Sequence, residues 1–519
     1  MSRPLPAILA AALLGPAAVA AGGVSPPQAD RRLSRSVFED KVRGGWAGKM
    51  IGVSYGAPTE FKATGKTYDA PLPWDPKKVS NALGQDDLYV GMTLAETMDR
   101  LGLDASTEAY GEAFKGTQYS LWHANAGARR LLNQGIKAPE SGHPKYNIHA
   151  NDIDFQIECD FIGLMCPGLP RESNRYSERV GRVMAYGDGL YGGIFLNGMY
   201  AAAYFETDVR RVVEQGLACL PPGSGYARII RDVLDWSAQH PDDWRKTWQL
   251  IEEKWDKEDS CPDGALRPFN IDARINGAYI AIGLLYGGRD FGKVLEISTR
   301  CGQDSDCNPS SAAGVLGVML GYEAIPEEWK SGLPAIADRK FQFTQSSLND
   351  ICRSTVERAL QVVRRAGGRV EGDTLVIPFE APEAAPLEQW DMGIPERRVG
   401  VSDPAWRWKG DWKEAKGRRV AEAAGAEAEF EFTGAAVAVV GECTQAGGRA
   451  DVYLDGKKAE RGLDAYIVER THDNACWHAY GLAQGPHTLR IVVRDDADPR
   501  SKGRRVAIAE AVVYRARQP

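Results

Sequence analysis

The 519-residue chain has no Cys-x-x-Cys pair, no apolar run beyond residue 20 long enough to cross a bilayer, no concentrated stretch of Lys and Arg, and no internal repeat of fixed period. Without close cysteine pairs a structural zinc site has no sequence support. Without a second long apolar segment no stable membrane insertion is expected. The formal net charge of -7 offers no basic surface to phosphates, which excludes a nucleic-acid partner.

What is present begins with a leader. Arg3 gives a positive start, Leu5 to Ala20 is nearly unbroken in apolar and small residues, and Ala18-Val19-Ala20 fits a signal-peptidase site. Residues 1–21 therefore read as a signal peptide, and the mature protein as exported, to a periplasmic or extracellular space. The run is too short to span a membrane comfortably as an anchor. Nine cysteines leave at least one unpaired. Cys159, Cys166, Cys301 and Cys307 lie in apolar or motif-like segments and read as small core residues, while Cys443 and Cys476, the only two in the last quarter of the chain, are the one pair expected to meet.

Length alone calls for two domains. Over residues 35–365 apolar residues recur at helical spacing, as in Leu88, Met92, Ala95, Met98 and Leu101, which predicts an all-α domain. Residues 366–395, with Glu380-Ala-Pro-Glu-Ala-Ala-Pro386, have the composition of a linker. Over 396–519 the period changes to two: Phe430 and Phe432, Val452 and Leu454, then Leu489, Ile491 and Val493 alternate with polar residues. This pattern predicts a small, jelly-roll-like β-sandwich.

Two acidic segments, far apart in sequence, each precede a predicted helix. One is Gln85-Asp86-Asp87; the other is Asp304-Ser305-Asp306, followed by Asn308 as expected N-cap and Pro309 at the first helical position. Carboxylates are common at helix starts, where they complement the dipole. Four of them bracketed by Gly84 and Gly302 would converge only on a hard cation such as Mg²⁺ or Ca²⁺. Ala313, Gly317 and Gly321 give the second helix a smooth face for close approach of another backbone. A third group, Asn151-Asp152-Ile153-Asp154 with Glu158, is set among apolar residues. A helix would place Asp154 and Glu158 on one face, where burial and like charge raise a carboxyl pKa toward that of a general acid.

Three motifs in order resemble those of the ADP-ribosylglycohydrolases. Gly44-Gly45-Trp46-Ala47-Gly48-Lys49-Met50-Ile51-Gly52, continuing to Gly56-Ala57-Pro58-Thr59-Glu60-Phe61, resembles their opening glycine-rich helix and loop. Gln85-Asp86-Asp87 resembles their Thr-Asp-Asp motif, and Gly302-Gln303-Asp304-Ser305-Asp306-Cys307 their Gly-Asp-x-Asp-Thr motif. The resemblance covers Ser36 to Lys330 and implies a compact all-α domain with one or two metals, usually magnesium, with Mn²⁺ or Ca²⁺ as alternatives. It implies Gln85, Asp86, Asp87, Asp304 and Asp306 as ligands and Glu60 at the place of a catalytic glutamate. Gln at 85 still offers an oxygen; Cys at 307 offers no hard one, which leaves one metal position open to weakening, loss or another ion.

An exported member has little reason to meet ADP-ribosylated protein, so a furanoside or other glycan end is the expected substrate. A nucleoside-type or ADP-ribosyl N-glycosidase and a non-catalytic carbohydrate-binding protein are the alternatives. One of Glu60, Asp152, Asp154 or Glu158 is expected as acid or base, and Asp188 and Asn151 as substrate contacts. Trp406, Trp408, Trp412 and Trp477 in the tail are expected to pack inside the sandwich in preference to stacking on sugars.

Overall fold

The computed structural model describes residues 29–468 and 471–517; the leader expected over residues 1–21 lies outside them. A helical domain comes first and an antiparallel two-sheet domain second. Among the described residues no helix is long and apolar enough to cross a membrane.

The helical domain is organised by two helices pressed backbone to backbone. Helix Arg35–Gly56 starts at Ser34, whose hydroxyl accepts the Val37 N–H at 3.3 Å. Gly44, Gly48, Gly52 and Gly56 recur every four residues, so they form one bare stripe. That stripe lies on helix Cys307–Leu320. A Cβ at Gly48 would stand 2.0 Å from the Ala313 carbonyl oxygen, and one at Gly56 would stand 2.1 Å from that of Ser305. No side chain fits in such a gap, and the contact delivers the loop after Gly56 directly to the 304–306 segment. Helix Cys307–Leu320 begins earlier than its sequence suggests. Asp306, not Asn308, precedes it, and Asn308 is buried with its amide donating to Asn276 Oδ1 at 2.9 Å. Inside the protein that amide finds its partner in another side chain and not at a helix end.

Residues 366–395 are bound to the helical domain along their length. Arg369–Glu371 and Thr374–Ile377 form a hairpin that pairs with Arg31–Ser34. Beyond it Glu380 accepts the Arg171 N–H at 2.7 Å, Tyr191 donates to Pro386 O at 2.7 Å, and Glu388 meets Arg182 at 2.6 Å. The segment lacks its own core yet gains its order from these anchors.

In the second domain one sheet runs Lys457–Lys458, Arg449–Leu454, Gly485–Val493, Glu427–Gly434, Trp406–Lys409, and the other His472–Ala479, Ala436–Cys443, Val506–Arg515, Arg418–Ala421, Lys413–Ala415. Phe430 pairs with Leu489 and Val452 with Ile491, all buried, as the two-residue period requires. Trp406 stacks on Trp408 at 5.2 Å and on Phe430 at 4.5 Å, and Trp412 and Trp477 are buried. These rings fill the sandwich. Cys443 and Cys476 are free thiols with their sulfurs 3.6 Å apart.

The domains share an apolar seam in which Ile148 and Ala265 pack with Ala436, Ala438, Val440, Val512 and Tyr514. Arg130, buried at the seam, donates to the Cys443 sulfur at 3.3 Å and to Ala475 O at 3.0 Å.

Candidate functional site

The loop at Glu60, the start of helix Asp86–Leu101 and the segment 304–306 meet at one place. Asp86 and Asp87 open their helix, where the N-terminal dipole favours negative charge. Cys307 donates its thiol to Asp87 Oδ1 at 3.0 Å, which ties the two acidic segments together. Lys49, fully buried on the glycine-rich helix, stands 2.8 Å from Asp160 and 3.6 Å from Asp87. One ammonium does not neutralise the rest.

The uncompensated charge shows in the titration of the group. Burial, then the negative neighbours Asp87 and Asp304, pushes Asp86 up to about 8. Burial and Asp304 push Asp306 well above the usual carboxylate range, and burial raises Asp304. Glu60 is exposed at the rim, but desolvation of its carboxyl and the charges of Asp304 and Asp87 hold it at about 7. Asp304 Oδ1 and Asp306 Oδ1 are buried without hydrogen-bond partners, and Asp87 Oδ2 has only the Lys49 ammonium, 3.6 Å away. Buried oxygens that lack donors and repel one another are the donor set of a hard divalent cation, so these residues fit the metal that the sequence motifs imply. Gln85 is the exception among the expected ligands: its amide nitrogen donates to Asn81 on the surface side.

The four acid or base candidates separate clearly. Asp154 accepts the N–H groups of Ala124 and Asn125 at 3.1 and 3.0 Å, so it caps helix His123–Asn133, and burial holds it at about 6. Glu158 lies one turn on and takes the Asn125 amide on one oxygen, while its other oxygen is buried and unpartnered. Burial, with Asp154 and Asp86 nearby, drives its pKa well up. Asp152 faces away toward His149, 2.8 Å distant, and Cys261, 3.3 Å distant. Glu60 alone is exposed, and beside it Phe61 packs on Phe269 at 5.0 Å, with His123 stacked beyond at 5.8 Å. This aromatic rim suits the apolar face of a sugar or base.

The expected substrate contacts lie apart from the cluster. Asn151 and Asp188 line a separate cavity of about 410 Å³ with Arg228, Arg274 and Trp390. Both are already engaged: Asn151 Oδ1 accepts the Trp390 indole N–H at 3.0 Å, and Asp188 accepts the Tyr226 N–H at 2.9 Å. Sequence reasoning passed over Asn125 and His123, which touch the candidate acids. No local pattern marks them, since each becomes relevant only when helix His123–Asn133 points its start at Asp154.

Comparison with known proteins adds a family. The model of the family described as ADP-ribosylglycohydrolase matches residues 34–365. No curated protein matches the chain. A solved structure described as an ADP-ribosylglycohydrolase-related protein complex is 15% identical, with 62% of this chain and 99% of that one aligned at a TM-score of 0.42. A family two carbohydrate esterase from Cellvibrio japonicus is 14% identical over 22% of this chain and 32% of its own, at a TM-score of 0.18. The CBM36-1 domain of a multidomain xylanase from the hindgut metagenome of Trinervitermes trinervoides is 11% identical over 22% and 94%, also at 0.18.

Proposed function

The chain belongs to the ADP-ribosylglycohydrolase family, whose members hydrolyse glycosidic bonds, and on that premise we propose an exported, metal-dependent glycoside hydrolase acting on a furanoside or other glycan end. The observation that carries the metal reading is the meeting of Asp86, Asp87, Asp304 and Asp306, with buried oxygens of Asp304 and Asp306 left unpartnered. Mg²⁺ is the proposed cation, and when bound it would act as a Lewis acid and grip a vicinal diol. Export rests on the apolar leader in the sequence.

The chain's own residues divide the remaining work. Glu60, exposed and held at about 7, is the proposed acid or base, because proton transfer is most efficient near the working pH. Its carboxylate takes a proton from the attacking water or returns one to the leaving oxygen. Asp154 and Glu158 hold the start of helix His123–Asn133 and so position the wall of the cleft. The ring pair Phe61 and Phe269 orients the sugar and thins the water around the bond.

The test is hydrolysis of a furanoside panel and of ADP-ribosylated protein, with Mg²⁺ and with chelator. Reducing sugar released from a furanoside only with metal is the expected result, with Asp86→Ala and Asp304→Ala each losing at least ~100-fold in turnover. Full turnover in both variants would sink the site assignment. Release of ADP-ribose alone would replace the substrate with that of the N-glycosidase reading.

A further inference from the structure

A second cluster, built from residues outside both acidic motifs, has different chemistry. His123, His149, Cys261 and Asp263 each bring one ligand atom within 4.8 Å of all the others. Two imidazoles, a thiol and a carboxylate form a borderline donor set, the kind that selects Zn²⁺ over Mg²⁺. A tetrahedral zinc with bonds of about 2.1 Å to nitrogen and to oxygen holds those two atoms about 3.4 Å apart. His123 Nδ1 and Asp263 Oδ2 stand 3.5 Å apart, and the Cys261 sulfur lies against the His149 ring, 3.5 Å from Nδ1. The His123–Asp263 pair already sits at an edge of such a tetrahedron.

Two further observations point to a ligand. His149 is fully buried; its Nδ1 bonds Asp152 at 2.8 Å while Nε2 has no hydrogen-bond partner, and His123 Nδ1 is buried facing the carboxylates of Asp263 and Asp152 at 3.5 and 3.6 Å. A carboxylate bonded to one ring nitrogen, with the other lone pair free, is the usual support of a metal-bound histidine. The loop that carries Cys261 and Asp263 is clamped by the sandwich. Arg398 donates to Pro262 O at 2.6 Å and Ala265 O at 2.9 Å, and Tyr514 donates to Ser260 O at 3.0 Å. The cluster borders a cavity of about 220 Å³ whose other wall is His472, Asp473 and Asn474.

We propose that His123, His149, Cys261 and Asp263 bind one Zn²⁺-class cation, oriented by Asp152, as a structural site that locks the 259–265 loop to the start of helix His123–Asn133. Four protein ligands close such a site, and its role is to fix the wall that Asp154 caps. The inference is independent of the proposed Mg²⁺ centre.

Titration of the whole chain with Co²⁺ tests it, because a cobalt-bound thiolate has a charge-transfer band that oxygen ligands lack. The expected result is one Co²⁺ with that band, retained in Cys307→Ser, in Cys443→Ser and in an Asp86→Asn, Asp304→Asn double variant, and lost in Cys261→Ser. Asp152→Asn should keep the band and weaken binding roughly 10–100-fold. No band in the wild-type chain overturns the proposal. So does a band that survives Cys261→Ser. If Cys261→Ser fails to fold by circular dichroism, His149→Gln takes its place, and unchanged Co²⁺ affinity there overturns the proposal equally.

Discussion

Removing protons from the acidic cluster must accompany cation binding, and the cost is readable from the structure. With Asp86 held at about 8 by burial and its negative neighbours, only about one chain in a hundred carries it ionised at pH 6, against about half at pH 8. If Mg²⁺ requires the ionised form, the apparent Kd strengthens roughly fiftyfold from pH 6 to pH 8 through this residue alone. Glu60, held at about 7, adds roughly tenfold more if it too must ionise. Isothermal titration with Mg²⁺ at pH 6, 7 and 8, in two buffers of different ionisation enthalpy, gives both affinity and protons released. Asp86→Asn should flatten the dependence to roughly tenfold or less while weakening binding at pH 8. The metal-free protein carries the opposite slope. A carboxyl whose folded pKa exceeds its unfolded value stabilises fully below the unfolded pKa, near 4, and that stabilisation disappears as pH rises through the folded value, here about 8. Thermal stability without metal should therefore fall from pH 5 to pH 8, and Mg²⁺ should restore more of it at pH 8 than at pH 6. A Kd constant within threefold across pH 6 to 8, with no protons released, would refute the reasoning.

Gly48→Ala places a methyl 2.0 Å from the Ala313 carbonyl oxygen and should cost about 1–3 kcal/mol or more in chemical denaturation, whereas Gly400→Ala, with nothing within 4 Å, should stay within about 0.5 kcal/mol of wild type. Asp154→Ala removes the acceptor of two backbone N–H groups and should cost about 1–2 kcal/mol. That loss should appear as earlier amide exchange at the start of helix His123–Asn133. Arg130→Met strips two hydrogen bonds from the seam and should cost roughly 1.5–3 kcal/mol, measured as loss of coincidence between the unfolding of helices and of sheets.

The helical domain was legible because its signals are local. The apolar period of Leu88 to Leu101 foretold helix Asp86–Leu101, and the two-residue period at Phe430 and Phe432 foretold strand Glu427–Gly434. The small face of Ala313 and Gly317 announced a close partner, and the partner proved to be the Gly44 to Gly56 stripe. What stayed hidden depends on contacts across the chain. Asn308 resembles a cap until Asn276 claims its amide, and the Pro-rich segment resembles a tether until Arg171, Tyr191 and Arg182 hold it down. Asn151 and Asp188 line a cavity apart from the acidic cluster, each with one oxygen held, by Trp390 and Tyr226. His149 and Cys261, 112 positions apart, are adjacent only after the sandwich has pinned the intervening loop.

The seam between the domains limits what the sandwich can contribute. A binding module on a loose tether raises the local supply of substrate for any ligand within its reach, and its benefit decays gently with tether length. Here Arg130, Tyr514 and the shared apolar cluster fix the sandwich's bearing on the helical domain. A polymer held by the sandwich's outer face would reach the cleft at one span and one angle only. Avidity would then be nearly all or nothing, rewarding chains whose curvature matches that span and ignoring others built from the same sugar.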